Sequence, residues 1–485
     1  MSTKRDRRVS PGNLHQEKVG FHTLSQDQVK DIHHTALEVL ERTGVVLRSK
    51  EARDLLSDAG CHVDGDRVHF PSGLVEWAVE AAPSQMTLFN RDGSETTAIG
   101  GRNVTFGPGP TLLNIRDPET GNRRSFSKQD VRDVARLCDA LDNIDWVMGF
   151  GTIDDVPHEH SDRHEFEAMV KNTTKPIIVW SYSREGMRDI IDMASFVRGG
   201  REELAKRPFI ISLTAPISPL IHNRDACEKV LLAAEYGVPV IHAPAIQGGS
   251  NAPVTIAGQV AQGTAENLSG LVLSQLKRKG LPYFFGGVIS IMDMKTAILA
   301  YGAPEKELAT AAYMDIADYY NLPTWGTAGC TDSKVFDSQS AIEGTLSTLF
   351  SALSGANLVH DVGYMESGST GSLEQIVMVN EAIGMAEKFI DGIEVTDETL
   401  ALDVIDQVGH GGDYMSHEHT MDNFREATWE PTLLDRSIRD TWKKEGAKTL
   451  EERANDKVVE ILDQHEPPSL PEEVVARIDE VVEGL

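Results

Sequence analysis

The 485-residue sequence predicts an α/β fold, a (β/α)8 TIM barrel with an N-terminal α+β layer and a C-terminal helical extension. Two patterns carry that expectation. Five times a short β-rich run follows a helix end and opens on proline: TKPIIVW, KRPFIISL, GVPVIHA, GLPYFFGG and NLPTWG. Proline at the first strand position forfeits no ladder hydrogen bond, so the placement is physically sound. Each run leads through a polar or glycine-rich loop into a helical pattern, such as REGMRDIIDMASFV or PEKELATAAYMDIADYY. Adding NVTFG at 103–107, WVMGFG at 146–151 and NLVHD at 357–361 brings the runs to eight. Their nearly continuous apolar character marks strands buried on both faces, as in a closed parallel barrel.

Three regions follow from these patterns. In the first, residues 1–100, Ser25 and Gln28 form a capping box ahead of Val29, Ile32, Ala36, Val39 and Leu40, and Gly44 supplies a stop, so 25–43 reads as an amphipathic helix. A second helix is expected at about 49–58, a hairpin turning at Asp64-Gly65, and a short helix after Pro71. The barrel takes residues 101–392. Residues 393–485, acidic, loop-rich and finally helical, read as a cap or interaction extension.

Composition narrows the function. The net charge of −29 argues against nucleic-acid binding, which needs surplus Lys and Arg to neutralise phosphate. No run of about 18 apolar residues occurs, and no apolar segment backs the basic start MSTKRDRRVSPGNLHQEK, so a soluble cytoplasmic protein is expected. Cys61, Cys138, Cys227 and Cys330 lie far apart, which suits a reducing compartment and offers no cysteine zinc site.

A barrel enzyme works at the C-terminal ends of its strands. Those ends carry Phe106, Trp180, Ser212, His242, Gln247, Trp325, His360, Asp361, Tyr364 and Glu366, rich in aromatics and poor in Lys and Arg. Phosphate esters need the opposite, and no P-loop occurs. Aromatic faces beside a carboxylate suit a quaternary ammonium, a permanent cation with no N–H to donate. His158, His160 and His164 in HEHSDRH have the makings of a ligand cluster, but a solvated loop explains them without a metal, and none is expected. GHGGDYMSHEHTMDNF at 409–424 reads as a lid or contact surface. The stretch GTAGCTDSKVFDSQSA at 326–341 offers Cys330 as a nucleophile or Lys334 as a Schiff-base amine, which keeps a lyase or aldolase open as an alternative, with a non-catalytic betaine-binding barrel as another.

That stretch, together with LSGANLVHDVGYMESGSTGS after it, GGVISIMDMKTAILAYGAPE before it and ETLALDVIDQVGHGGDYMSHEHT further on, resembles the trimethylamine methyltransferase superfamily of corrinoid-dependent methyltransferases over roughly residues 20–465. The resemblance implies a (β/α)8 barrel that passes a methyl group to a Co(I) corrinoid on a separate protein, with no cofactor held tightly by the chain itself. Founding members carry pyrrolysine near the position of Lys334 or Val335. Only standard residues stand here, which implies the non-pyrrolysine branch and a quaternary amine such as glycine betaine, carnitine, proline betaine, γ-butyrobetaine or choline. On that reading Phe106, Trp180, Trp325 and Tyr364 cage the ammonium, Glu366 or Asp332 adds negative charge, and His360 binds a betaine carboxylate, helped by Lys334. Cys330 then packs the loop, and no protein nucleophile is needed. Partners are the corrinoid protein and the amine; a homo-oligomer is compatible with the chain.

Overall fold

In a computed structural model, which describes residues 19–484, the chain forms a TIM-like α/β barrel. The basic opening segment 1–18 lies outside those residues. Seven parallel strands neighbour one another in the order Thr105–Phe106, Leu358–His360, Thr324–Thr327, Tyr283–Gly286, Val240–His242, Ile210–Thr214 and Ile177–Trp180. The segment 145–148 closes the ring between the two ends. Asp145 N donates to the Phe106 carbonyl at 2.8 Å, and Val147 exchanges bonds with the strand Ile177–Trp180 through Pro176 O and Ile178 N, both at 2.9 Å. Of the eight expected strands it is the least regular, because the Asp145 carboxylate takes the Phe106 amide at 2.9 Å in place of a backbone carbonyl.

The strand-opening prolines keep their place for the expected reason. Pro176, Pro239, Pro282 and Pro323 donate nothing, yet each carbonyl accepts the amide of a neighbouring strand: Val147, Ser212, Val240 and Phe285 respectively. Pro208 accepts from Phe89, part of the hairpin Gln85–Phe89 and Glu95–Gly100 that sits under the barrel's N-terminal end.

Side-chain parity decides what faces the axis, since laterally paired residues of a parallel sheet point the same way. Trp180, Leu213, Ile241 and Phe284 form one such row, and Trp325 pairs with Leu358. With Trp146, Met148, Ile178 and Ile211 they make an apolar interior sealed from below by Leu88 and Ile99.

The N-terminal layer follows its local signals. The Ser25/Gln28 capping box opens helix Gln26–Glu38, which widens into a π-helical turn at Val39–Thr43 and stops at Gly44, φ +68°. The hairpin His62–Asp64 and Arg67–His69 forms as expected and joins Val45–Leu47, which pairs in parallel with Ile221–His222 of a barrel loop. At the other end, helix Leu450–Gln464 packs on Leu373–Asp391 and Lys128–Ala140, tied by Arg116 to Glu374 and Glu451, both at 2.6 Å. Glu472–Glu483 packs on Arg184–Arg198. Among the described residues, no helix is long and apolar enough to cross a membrane.

Candidate functional site

The C-terminal end of the barrel gathers Trp180, Trp325, His360, Asp361 and Tyr364. Trp325 is 1% exposed, 5.7 Å from the Trp146 ring across the axis, and the His360 ring stacks on it with centroids 4.2 Å apart. His360 Nδ1 lies 2.6 Å from the Gly326 carbonyl oxygen. A carbonyl only accepts, so that nitrogen carries the proton. Burial lowers the His360 pKa, against the pull of Asp361 and the Gly326 carbonyl, leaving a neutral ring whose Nε2 lies 3.4 Å from Asp361 Oδ1. His360 thus stands between the Trp325 ring and the Asp361 carboxyl.

Asp361 ends the last strand with φ +74°, a conformation uncommon outside glycine. Burial pushes its carboxyl above the usual range, against His360, the Tyr301 hydroxyl donating at 3.2 Å, and Lys306. Gly109 makes room: a Cβ there would lie 2.2 Å from Asp361 Oδ1 and 2.6 Å from the Tyr364 ring. The Tyr364 hydroxyl donates to the Pro110 carbonyl, so the segment from Gly109 to Pro110 is clamped on both side chains. Gly109→Ala is expected to cost about 1–3 kcal/mol by overpacking, read as a lower denaturation midpoint, with a loss of activity larger than that of a distant surface Gly→Ala.

The remaining expected residues lie elsewhere. Phe106 does not join the cage: it is paired with Val359, whose neighbours Leu358 and His360 face inward, so both Val359 and Phe106 point outward into the layer under the helices. Ser212 and His242 share that outward parity. His242 sits between Thr214 Oγ1, at 2.6 Å, and His222, at 2.9 Å, and burial drives both histidines down, His222 to about 4. Asp332 spends its carboxylate on the Tyr301 and Gly302 amides, at 2.8 and 2.9 Å, and on the Ser367 hydroxyl at 2.7 Å. The Glu366 carboxylate accepts from Ser369 and Thr370, at 3.1 and 3.0 Å, and meets Arg123 at 3.6 Å. Both carboxylates therefore hold loops together.

In the stretch 326–341, Cys330 is fully buried and burial pushes its thiol far up, which removes the thiolate a nucleophile needs. Lys334 is exposed, donating to the Asp332 carbonyl at 2.7 Å, and Val335 is exposed beside it. Neither reaches into the barrel. Among the described residues no three His, Cys, Asp or Glu side chains converge as a metal-holding group. His158 packs on the Tyr182 ring at 4.5 Å, and His164 Nδ1 accepts from Lys128 at 3.0 Å.

The HEHSDRHEF segment matters through its carboxylates. Asp162 and Glu165, one turn apart on helix Ser161–Asn172, line a small enclosed cavity with Thr152, Trp180 and Tyr182. Glu165 Oε1 and the Trp180 indole nitrogen are buried there without a partner. Burial and then Asp162 push the Glu165 carboxyl well above its usual value. Lys229 covers one face of Trp180, its Nζ 4.8 Å from the ring centroid. The i, i+3 spacing of the two acids was legible in the sequence, but the intervening histidines drew attention from it.

Comparison with known proteins sets this geometry in context. The profile of the trimethylamine methyltransferase (MTTB) family matches residues 2–483. A trimethylamine methyltransferase of Desulfitobacterium hafniense is 35% identical over 98% of this chain and 96% of its own. A glycine betaine methyltransferase from another strain of that organism is 30% identical over 94% and 96%. The crystal structure of the monomethylamine methyltransferase of Methanosarcina barkeri superposes with a TM-score of 0.52 at 13% identity, covering 92% of this chain and 89% of that one, a likeness of fold.

Proposed function

The chain belongs to the trimethylamine methyltransferase family, and from that premise we propose that it moves a methyl group from a quaternary amine, glycine betaine first, to a Co(I) corrinoid carried by a separate protein. The observation that supports this reading best is the buried acid Asp361 at the barrel's C-terminal end, set between His360, which stacks on Trp325, and the Tyr364 ring that shares the space at Gly109 with it. A quaternary ammonium offers no hydrogen-bond donor, so ring faces and diffuse negative charge are the means of holding it. Glu165, buried behind Trp180 with a carboxyl oxygen that meets no partner, lies beside that group, and burial favours its neutral form.

Chemistry favours the same substrate class. A quaternary nitrogen leaves as a neutral amine, dimethylglycine from glycine betaine, and needs no acid. The loop at Lys334 and Val335 sends nothing into the barrel, so it contributes no group that could activate a tertiary amine. The corrinoid would supply the nucleophile that takes the methyl. The chain's residues hold the ammonium, orient its methyl toward the mouth and keep water away. The mouth fits a large acceptor: Leu113, Ile217, Val254, Met294, Ile298 and Val335, drawn from five loops around the rim, are each more than half exposed.

The test is a panel of quaternary amines and trimethylamine with a Co(I)-corrinoid protein, followed by its visible spectrum. Transfer from glycine betaine and not from trimethylamine is expected. Binding without transfer from any quaternary amine would leave a betaine-binding barrel instead. Lys334→Ala is expected to keep the rate within about two-fold, as an exposed side chain outside the cage should; loss of activity with borohydride trapping of a carbonyl substrate on Lys334 would restore the aldolase reading.

A further inference from the structure

Two buried polar atoms line one cavity with nothing to bond. Glu165 is only 7% exposed and leaves Oε1 without a partner, and the Trp180 indole nitrogen has none either. A buried polar atom left unpaired is costly, so two of them on the same space mark a place for a ligand. What they offer defines its chemistry. An indole nitrogen only donates. Burial, and then Asp162, hold the Glu165 carboxyl well above its usual range against the Ile153 amide, so its neutral form donates through O–H. The other polar groups of the cavity are engaged. Asp162 accepts the Arg163 and Tyr182 amides, at 2.9 and 3.0 Å, and the Thr152 and Tyr182 hydroxyls pair at 3.3 Å. Two donors therefore face one space that lacks an acceptor.

Charge points to an anionic acceptor. Lys229, 4% exposed, donates to the Ser181 carbonyl and holds its ammonium over the Trp180 ring, Nζ 4.8 Å from the centroid. A ring face taken by one cation attracts a second less, so this indole suits the negative end of a substrate better than its ammonium. Position agrees. Pro110 and Thr111 line the cavity directly after Gly109, which packs on Asp361 and Tyr364. The segment 109–111 thus borders both the buried acid Asp361 and the two donors, and a zwitterion laid along it meets an acid at one end and donors at the other.

We propose that this cavity reads the substrate's carboxylate, with the Glu165 carboxyl and the Trp180 indole N–H both donating to it and Lys229 supplying the balancing charge. The inference rests on the reading of the barrel as a quaternary-amine site and names its preferred class, carboxylated betaines over choline. Hydrogen bonds to a carboxylate are charge-assisted, and an amine without that group leaves both buried donors unmet.

Calorimetric binding of glycine betaine and of choline to the full-length chain tests it, and the unmodified protein is expected to bind glycine betaine more tightly. Glu165→Met and Trp180→Phe each remove one donor and keep apolar bulk, and each should weaken glycine betaine roughly 10- to 100-fold more than choline. Glu165→Gln returns a donor through its NH2 and should hold glycine betaine affinity within about three-fold of the unmodified chain. Its denaturation midpoint should stay equal or rise, since no acid is then held in the cavity. Tighter binding of choline, equal losses for the two amines, or a Glu165→Gln variant as impaired as Glu165→Met would each overturn the proposal and leave the quaternary-amine reading in place. Failure of every quaternary amine to bind the unmodified chain would overturn both.

Discussion

Asp361→Asn is expected to lower kcat/KM for a quaternary amine by roughly 30- to 150-fold, the equivalent of about 2–3 kcal/mol of desolvated charge attraction. The amide keeps the shape and the local bonds: its oxygen accepts from the Tyr301 hydroxyl, and its NH2 can donate to His360 Nε2. It removes only the capacity to ionise. Burial raises this carboxyl in the folded state. A group raised above its unfolded value binds more protons when folded, so its contribution to stability falls as pH rises past the unfolded value, near 3.9. Asp361→Asn should therefore leave stability at neutral pH equal or higher while activity drops. Denaturation and steady-state kinetics on the same preparation measure both; a parallel loss of stability and activity would make Asp361 a structural group only.

Trp325→Ala is expected to destabilise the protein by about 3–5 kcal/mol, the range for emptying a buried tryptophan site. The indole lies at the centre of the barrel, with Trp146 5.7 Å away on one side and His360 stacked at 4.2 Å on the other. Removing it leaves a void under the site and frees the imidazole that faces Asp361. KM should rise as well, and Trp325→Phe separates the two effects by restoring a ring and most of the packing. That variant is expected to recover most of the stability and part of the affinity. An alanine variant with unchanged denaturation midpoint and KM would remove Trp325 from both roles.

Much of the fold was legible because its signals are local. Proline ahead of an apolar run marks a strand start whatever the partner strand, and the Ser25/Gln28 box and the Asp64-Gly65 turn are complete within a few residues. The resemblance to the methyltransferase family was equally readable, since it rests on contiguous blocks that the family profile covers from residue 2 to 483. The site was less legible. Phe106 stands at a strand end as expected, but one residue of parity turns it to the outer layer, and parity is set by pairing with Val359, over 250 positions away.

The acids show the same division. Asp332, Asp361 and Glu366 are adjacent to strand ends and equivalent in sequence. Only the folded chain assigns their hydrogen bonds: the Tyr301 and Gly302 amides and Ser367 take Asp332, Ser369 and Thr370 take Glu366, and Asp361 is left in the interior with His360 and Tyr301. Glu165 gains its buried position from the cavity beside Trp180. The sequence by itself determined the barrel, its strand starts, the family and the aromatic supply at the mouth, because each depends on residue type and short-range order. Which donors each carboxyl meets was decided by tertiary structure alone, because desolvation and hydrogen-bond donors are brought by folding from distant parts of the chain.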